Sequence, residues 1–180
     1  MSIYLIRHGQ SEFNAAFTLD PNADPMMFDA HLTEIGVQQA KIASEQLSNI
    51  KIQHVIASPM TRAIQTAMHI FGDNHPIIIN PHIREKLAHS CDVGSHPKLL
   101  KKMFNHLTFE HLPDRWWHGK QDIVERIQVE PENLFLNRAK EFKSWLDQWD
   151  NGTLAVVGHG TFFVQIAGHH MKNCEIHQYR

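Results

Sequence analysis

The chain has 180 residues, of which 42% are hydrophobic, 20% charged and 9% aromatic, and its 17 Lys plus Arg against 19 Asp plus Glu leave a formal net charge of −2. A chain of this length buries roughly 70% of the surface its unfolded form exposes, enough for one domain with a core that needs no metal or disulfide staple. The near-neutral balance argues against a nucleic-acid or anionic-membrane binder, which gains affinity from a large positive field, and no run approaches the roughly 20 apolar residues that cross a bilayer.

Taken in chain order, the first apolar run covers residues 3–6 and reads as a strand. Gly36, Ala40, Ala43, Leu47 and Ile50 then recur at helical spacing and place a small-residue stripe on one face. A second strand is expected at 55–57, followed by a helix in which Ser58 is the N-cap, Pro59 takes the first helical position, and Met60, Ile64, Ala67 and Phe71 share a face. Residues 77–79 form a third short run. Between 86 and 130 periodicity weakens; the segment carries Pro97, Pro113, His89, His96, His106, His111, His118 and the pair Trp116 and Trp117. It is expected to be a partly helical lid or insertion over a site within a single domain 1–180. The tryptophans serve either the core or the pocket. From Pro131 a further helix is expected to run to Asn151 and Gly152. Its inner face is Phe135, Ala139, Phe142, Leu146 and Trp149, with Arg138, Lys140, Glu141 and Lys143 outside it. A strand at 154–157, a buried helix at 161–170 and a candidate last strand at 174–179 complete the series. Continuous apolar runs alternating with helices predict an α/β domain, helices covering both faces of a mainly parallel sheet.

The first residues, Met-Ser-Ile-Tyr-Leu-Ile-Arg-His-Gly, carry no basic leader and no small-residue cleavage site, so no secretory signal is expected. Cys91 and Cys174 read as two unpaired thiols in a reducing compartment, which makes a cytoplasmic location the expectation. The 15 histidines include no His-Glu-x-x-His, and His169 and His170 are sequence neighbours that point to different sides of a helix, so no metal site is expected.

Open α/β sheets bind ligands beyond the carboxyl ends of their strands. The residues just past each apolar run are therefore informative: Arg7, His8 and Gly9; Ser58 and Arg62; Arg84 and Glu85; Gly158, His159 and Gly160. Histidines and arginines converging on one edge are costly unless they hold an anion. Arg62 falls in a first helical turn, where the macrodipole already disfavours a cation, so an anion between the two is the consistent reading. Phosphate fits a planar guanidinium and the N–H groups of a helix N-terminus. The glycines beside the histidines permit tight turns and close backbone approach.

The segment Leu5-Ile6-Arg7-His8-Gly9-Gln10-Ser11-Glu12-Phe13-Asn14 resembles the signature of the histidine phosphatase superfamily, in its phosphoglycerate mutase-like branch. Three further stretches match in order: Asp29, Leu32, Thr33, Gly36, Gln39 and Ala40; Ser58, Pro59, Arg62, Gln65, Thr66 and Ala67; and Val157, Gly158, His159 and Gly160. The segment Arg84-Glu85-Lys86-Leu87 with Cys91-Asp92-Val93-Gly94 is similar to a phosphoglycerate mutase-like subgroup. The resemblance implies a three-layer α/β/α fold. It makes His8 the nucleophile that becomes phosphorylated, Arg7, Arg62 and His159 the phosphate pocket, Asn14 a further phosphate ligand and Glu85 the proton donor. Asp92 is a rival acid, because the residues after Glu85 depart from the common family pattern. The loop 15–28 departs as well.

The implied activity is hydrolysis of a phosphate monoester through a phosphohistidine, without metal or organic cofactor. Its partner would be a small phosphorylated substrate or a phosphoprotein, with no nucleic acid or membrane involved; the oligomeric state stays open. The alternatives are mutase-type phosphoryl transfer, hydrolysis of protein phosphohistidine, and a non-catalytic module that binds a phosphorylated ligand.

Overall fold

In the computed structural model, which describes residues 1–72, 75–119 and 127–180, the first apolar run becomes β1 (Ile3–Arg7). It is joined by β2 (His54–Ala57), β3 (Ile77–Ile79), β4 (Leu154–Gly158) and β5 (Ile176–Gln178). The sheet order is β3-β2-β4-β1-β5. The first four strands run parallel, and β5 closes the edge antiparallel to β1. Among the described residues six α-helices surround them: α1 (Glu12–Leu19), α2 (Glu34–Leu47), α3 (Thr61–Phe71), α4 (Pro97–Met103), α5 (Glu132–Asp147) and α6 (Gly160–Ala167).

Alternation along the strands explains the three layers. Tyr4, Ile6, Val55, Ala57, Ala155 and Val157 face a core shared with α2 and α3. Ile3, Leu5, Ile56, Leu154 and Val156 face the opposite core, filled by Phe135, Ala139, Phe142 and Leu146 of α5 and Phe162, Phe163 and Ile166 of α6. β1, β2 and β4 are covered on both sides, which is why their apolar runs are continuous, whereas β3 at the sheet edge leaves Ile78 exposed. The small-residue stripe of α2 is buried as expected at Gly36, Ala40, Ala43 and Leu47.

Several expectations need correction. The loop anticipated at 15–28 begins as the last turns of α1, which a capping box starts: Ser11 Oγ accepts from Asn14 N and Asn14 Oδ1 accepts from Ser11 N, both at 3.2 Å. α3 starts at Thr61, not after Ser58, and Asp29 caps it from a distance. The Asp29 carboxylate accepts from Thr61 N and Thr61 Oγ1, each at 2.8 Å. α5 stops at Asp147, before the Asn151-Gly152 pair, and α6 stops at Ala167, where Gly168 adopts φ +78°.

Arg138, expected outside the stripe of α5, is buried. It forms a two-pronged pair with Glu130, at 3.2 and 2.7 Å. Its remaining nitrogen donates to the carbonyls of His82 (2.9 Å) and Arg84 (2.8 Å).

The segment 86–130 divides. Residues 88–92 border a cleft at the carboxyl edge of the sheet, and 120–126 lie outside the described residues. Leu100, Phe104, Leu107, Phe109, Leu112 and Trp116 instead join the core on the α3 face. His111 Nε2 contacts the Ile79 carbonyl at 2.8 Å, which fixes the segment beside β3. Trp116 is thus a core residue whose indole N–H donates to Ser95 O at 2.9 Å.

Candidate active site

β4 lies between β1 and β2, and its register sets Arg7 opposite Gly158 and Ala57 opposite Val157. Arg7-His8, Ser58 and His159-Gly160 therefore emerge side by side at one edge, where α3 also begins and presents Arg62 in its first turn. Gly9 makes room for this junction: a Cβ there would stand 2.6 Å from Gly36 O. Gly160 serves likewise, since its Cβ position lies 3.2 Å from Arg7 Nε. Neither has a positive φ, so space rather than a tight turn is what these glycines supply.

His8, Arg62 and His159 are all buried. The two imidazole centroids are 5.2 Å apart, and Arg62 Nε donates to His8 Nε2 at 3.3 Å. His8 Nδ1 lies 2.7 Å from Gly9 O, which can only accept, so Nδ1 carries the proton and Nε2 the lone pair. Burial, then the guanidiniums of Arg62 and Arg7, push His8 well below the ordinary histidine value and keep it neutral. His159 is pushed well below in the same way, by burial first and Arg62 next. Its Nε2 is 2.7 Å from Ser58 Oγ, which also accepts from Met60 N at 3.3 Å. The Ser58 hydroxyl can donate to His159 Nε2 or accept from it, so this contact serves either tautomer of His159. His159 Nδ1 and Arg7 Nε are both buried, with no hydrogen-bond partner among the described residues.

The two carboxylates differ. Glu85, half-buried, accepts from the backbone N–H groups of Lys86 and Phe162 on Oε1 (2.9 and 3.0 Å) and of Thr161 on Oε2 (2.9 Å), at the start of α6. Burial and the neighbouring Asp92 carboxylate nevertheless raise its pKa above the usual range. Arg138 fixes the backbone beside it through the Arg84 carbonyl. Asp92 is buried and bound on both oxygens: Arg62 Nη2 at 3.1 Å on Oδ1, Ala88 N and His89 N at 3.1 Å on Oδ2. Arg84 pairs with Glu130 at 3.0 Å and does not line the cleft.

The cleft has a volume of about 280 Å³, and Arg7, His8, Asn14, Arg62 and Glu85 all line it. Asn14 commits its Oδ1 to Ser11 N, which leaves its amide N–H₂ as the donor group. Phe13, Phe17 and His89 line the same cleft and were not expected there. The i, i+4 spacing of the two phenylalanines behind the capping residue Ser11 was the available signal.

A family model, the histidine phosphatase superfamily (branch 1), matches residues 3–180. Over an alignment 214 positions long, gaps included, the chain is 27% identical to a phosphoglycerate mutase-like protein of Arabidopsis thaliana, covering 96% of this chain and 76% of the relative. A probable phosphoglycerate mutase GpmB of Yersinia pestis (strain Pestoides F) is 34% identical over 87 residues, 47% of this chain and 38% of that protein. Among solved structures, an ecdysone phosphate phosphatase from Bombix mori in complex with tungstate superposes with a TM-score of 0.64 at 16% identity, over 97% of this chain and 87% of that one.

Proposed function

This chain belongs to the histidine phosphatase superfamily, branch 1, and from that premise we propose that it hydrolyses phosphate monoesters through a phosphohistidine on His8. The observation that carries the reading is the cluster of His8, Arg7, Arg62 and His159 at one sheet edge. His8 Nε2 is held by Arg62 Nε, while Arg7 Nε and His159 Nδ1 point from buried positions with no partner among the described residues. Buried polar atoms without partners are costly unless a ligand supplies them, and three phosphoryl oxygens supply acceptors for Arg7 Nε and for an Nδ1–H tautomer of His159.

In the first step His8 Nε2 forms a bond to phosphorus as the ester P–O bond breaks. Arg62, Arg7 and His159 donate to the phosphoryl oxygens on which charge develops. Glu85 protonates the departing oxygen, a task suited to a carboxyl whose proton affinity is raised by burial and by Asp92. A phosphate dianion nearby raises it further. In the second step water attacks phosphorus and returns its proton to Glu85, the N–P bond breaks, and inorganic phosphate leaves.

Turnover of p-nitrophenyl phosphate tests the reading. The wild-type protein should hydrolyse it at neutral pH, where His8 is already neutral, and His8→Ala should lower kcat/KM by at least about a thousandfold. Equal rates for the two proteins would remove the proposal. Mutase-type transfer is less favoured, because a bisphosphorylated intermediate needs a second cationic subsite. Lys86 at the rim is already paired with Glu132 and His89 with Asp24.

A further inference from the structure

One wall of the cleft consists of rings. Phe13 and Phe17, one turn apart on α1, stack with centroids 5.3 Å apart and planes 16° from parallel. The His89 imidazole closes the corner, 5.5 Å from Phe13 and 5.1 Å from Phe17. All three line the cleft that holds His8 and Arg62, and Phe17 and His89 keep part of their surface open.

Two independent devices hold this wall in place. The Ser11 and Asn14 capping box sets the start of α1 and hence the direction of both phenyl rings. On the other side, Asp24 reaches across from the loop after α1. It accepts from Ser90 N at 2.8 Å and from Ser90 Oγ at 2.5 Å, and lies 3.8 Å from His89 Nδ1. That contact fixes the turn Ser90–Asp92, and with it His89.

The polar groups around the wall already have partners. His89 faces Asp24, and Lys86 is paired with Glu132 and lies over the Phe135 ring. Among the described lining residues, His170, exposed at the rim, is the basic side chain left beyond Arg7 and Arg62. A substrate with a second strongly anionic group would gain little here, whereas a flat apolar group would cover exposed ring surface. The volume of about 280 Å³ falls just below the usual span of ligand pockets, roughly 300–1,000 Å³, which limits that group to about one ring.

We propose that the Phe13, Phe17 and His89 wall selects phosphate monoesters whose alcohol part carries an aromatic or similarly flat apolar group close to the phosphate. This rests on the phosphatase reading for turnover but not for binding, and the experiment separates the two. Wild type, Phe17→Ala and His89→Ala are compared on 2-phenylethyl phosphate and propyl phosphate, whose alkoxides have similar basicity. Calorimetry then measures binding of the matching non-hydrolysable phosphonates. The expected result is a wild-type preference of about tenfold for the phenyl compound in kcat/KM and in Kd, falling toward unity in both variants. A well-folded wild-type protein that hydrolyses or binds both compounds equally overturns the proposal, as does a preference that both variants retain. A phenyl preference in binding without turnover of any ester would keep the wall and remove the phosphatase reading. Turnover of p-nitrophenyl phosphate without a phenyl preference would do the reverse.

Discussion

Glu85 and Asp92 are both acids lining the cleft with His8, and their contacts differ in a way that suits the proposed division of tasks. Asp92 is bound on both oxygens, with Arg62 on one and two backbone N–H groups on the other. It orients Arg62 and adds negative charge beside Glu85, which helps Glu85 keep a proton. Replacing each should therefore give a different pattern. Glu85→Gln should lower kcat/KM for alkyl phosphates, whose leaving oxygen needs a proton, by about 10²-fold or more, and for p-nitrophenyl phosphate by much less. Asp92→Asn loosens the guanidinium and should lower both by a similar factor. Steady-state kinetics on the two ester classes decide it: a leaving-group dependence seen in Asp92→Asn and absent in Glu85→Gln would exchange the roles. The sequence supplied Glu85 because it follows the third apolar run, and Asp92 because the residues after Glu85 depart from the common family pattern. It could not rank them, since their partners at Thr161, Phe162 and Arg62 are distant in the chain.

At the scale of elements, α3 matters most, because its first turn carries Arg62. Its N-terminus has no side-chain cap of its own, and Asp29, itself at φ +41°, supplies the acceptor instead. Asp29→Ala should cost about 1–2 kcal/mol, the usual worth of a cap, and lower Tm by roughly 2–8 °C for a chain of this size. Asp29→Asn, which keeps one acceptor oxygen, should lose less. Calorimetric melting checks this, and an unchanged Tm for Asp29→Ala would contradict the capping role. The local pattern placed α3 almost correctly, yet it took Ser58 for the cap when that hydroxyl serves His159. Arg138 misled for a related reason. A charged residue beside an apolar stripe reads as solvated until its partner is known, and Glu130 approaches it from outside α5.

Over the whole molecule, four parallel strands with apolar residues on both faces made the fold readable, and the rule that ligands sit beyond strand ends led to His8, Arg62 and His159. The segment 86–130 was not readable in the same way. Leu100, Phe104, Leu107, Phe109, Leu112 and Trp116 are buried one by one against the α3 face rather than along a single periodic helix. Tertiary packing, which leaves no local signature, decides their place. The parallel sheet, the shared edge and the close approach at Gly9 and Gly160 together set the His8 imidazole beside Arg62 and His159. The sharpest check is to quench turnover of p-nitrophenyl phosphate in alkali, where a phosphorus–nitrogen bond survives, and to map the modified peptide by mass spectrometry. A phosphoryl group on the His8 ring is expected; steady turnover with that peptide unmodified, or with the group on another side chain, would rule out His8 as the nucleophile.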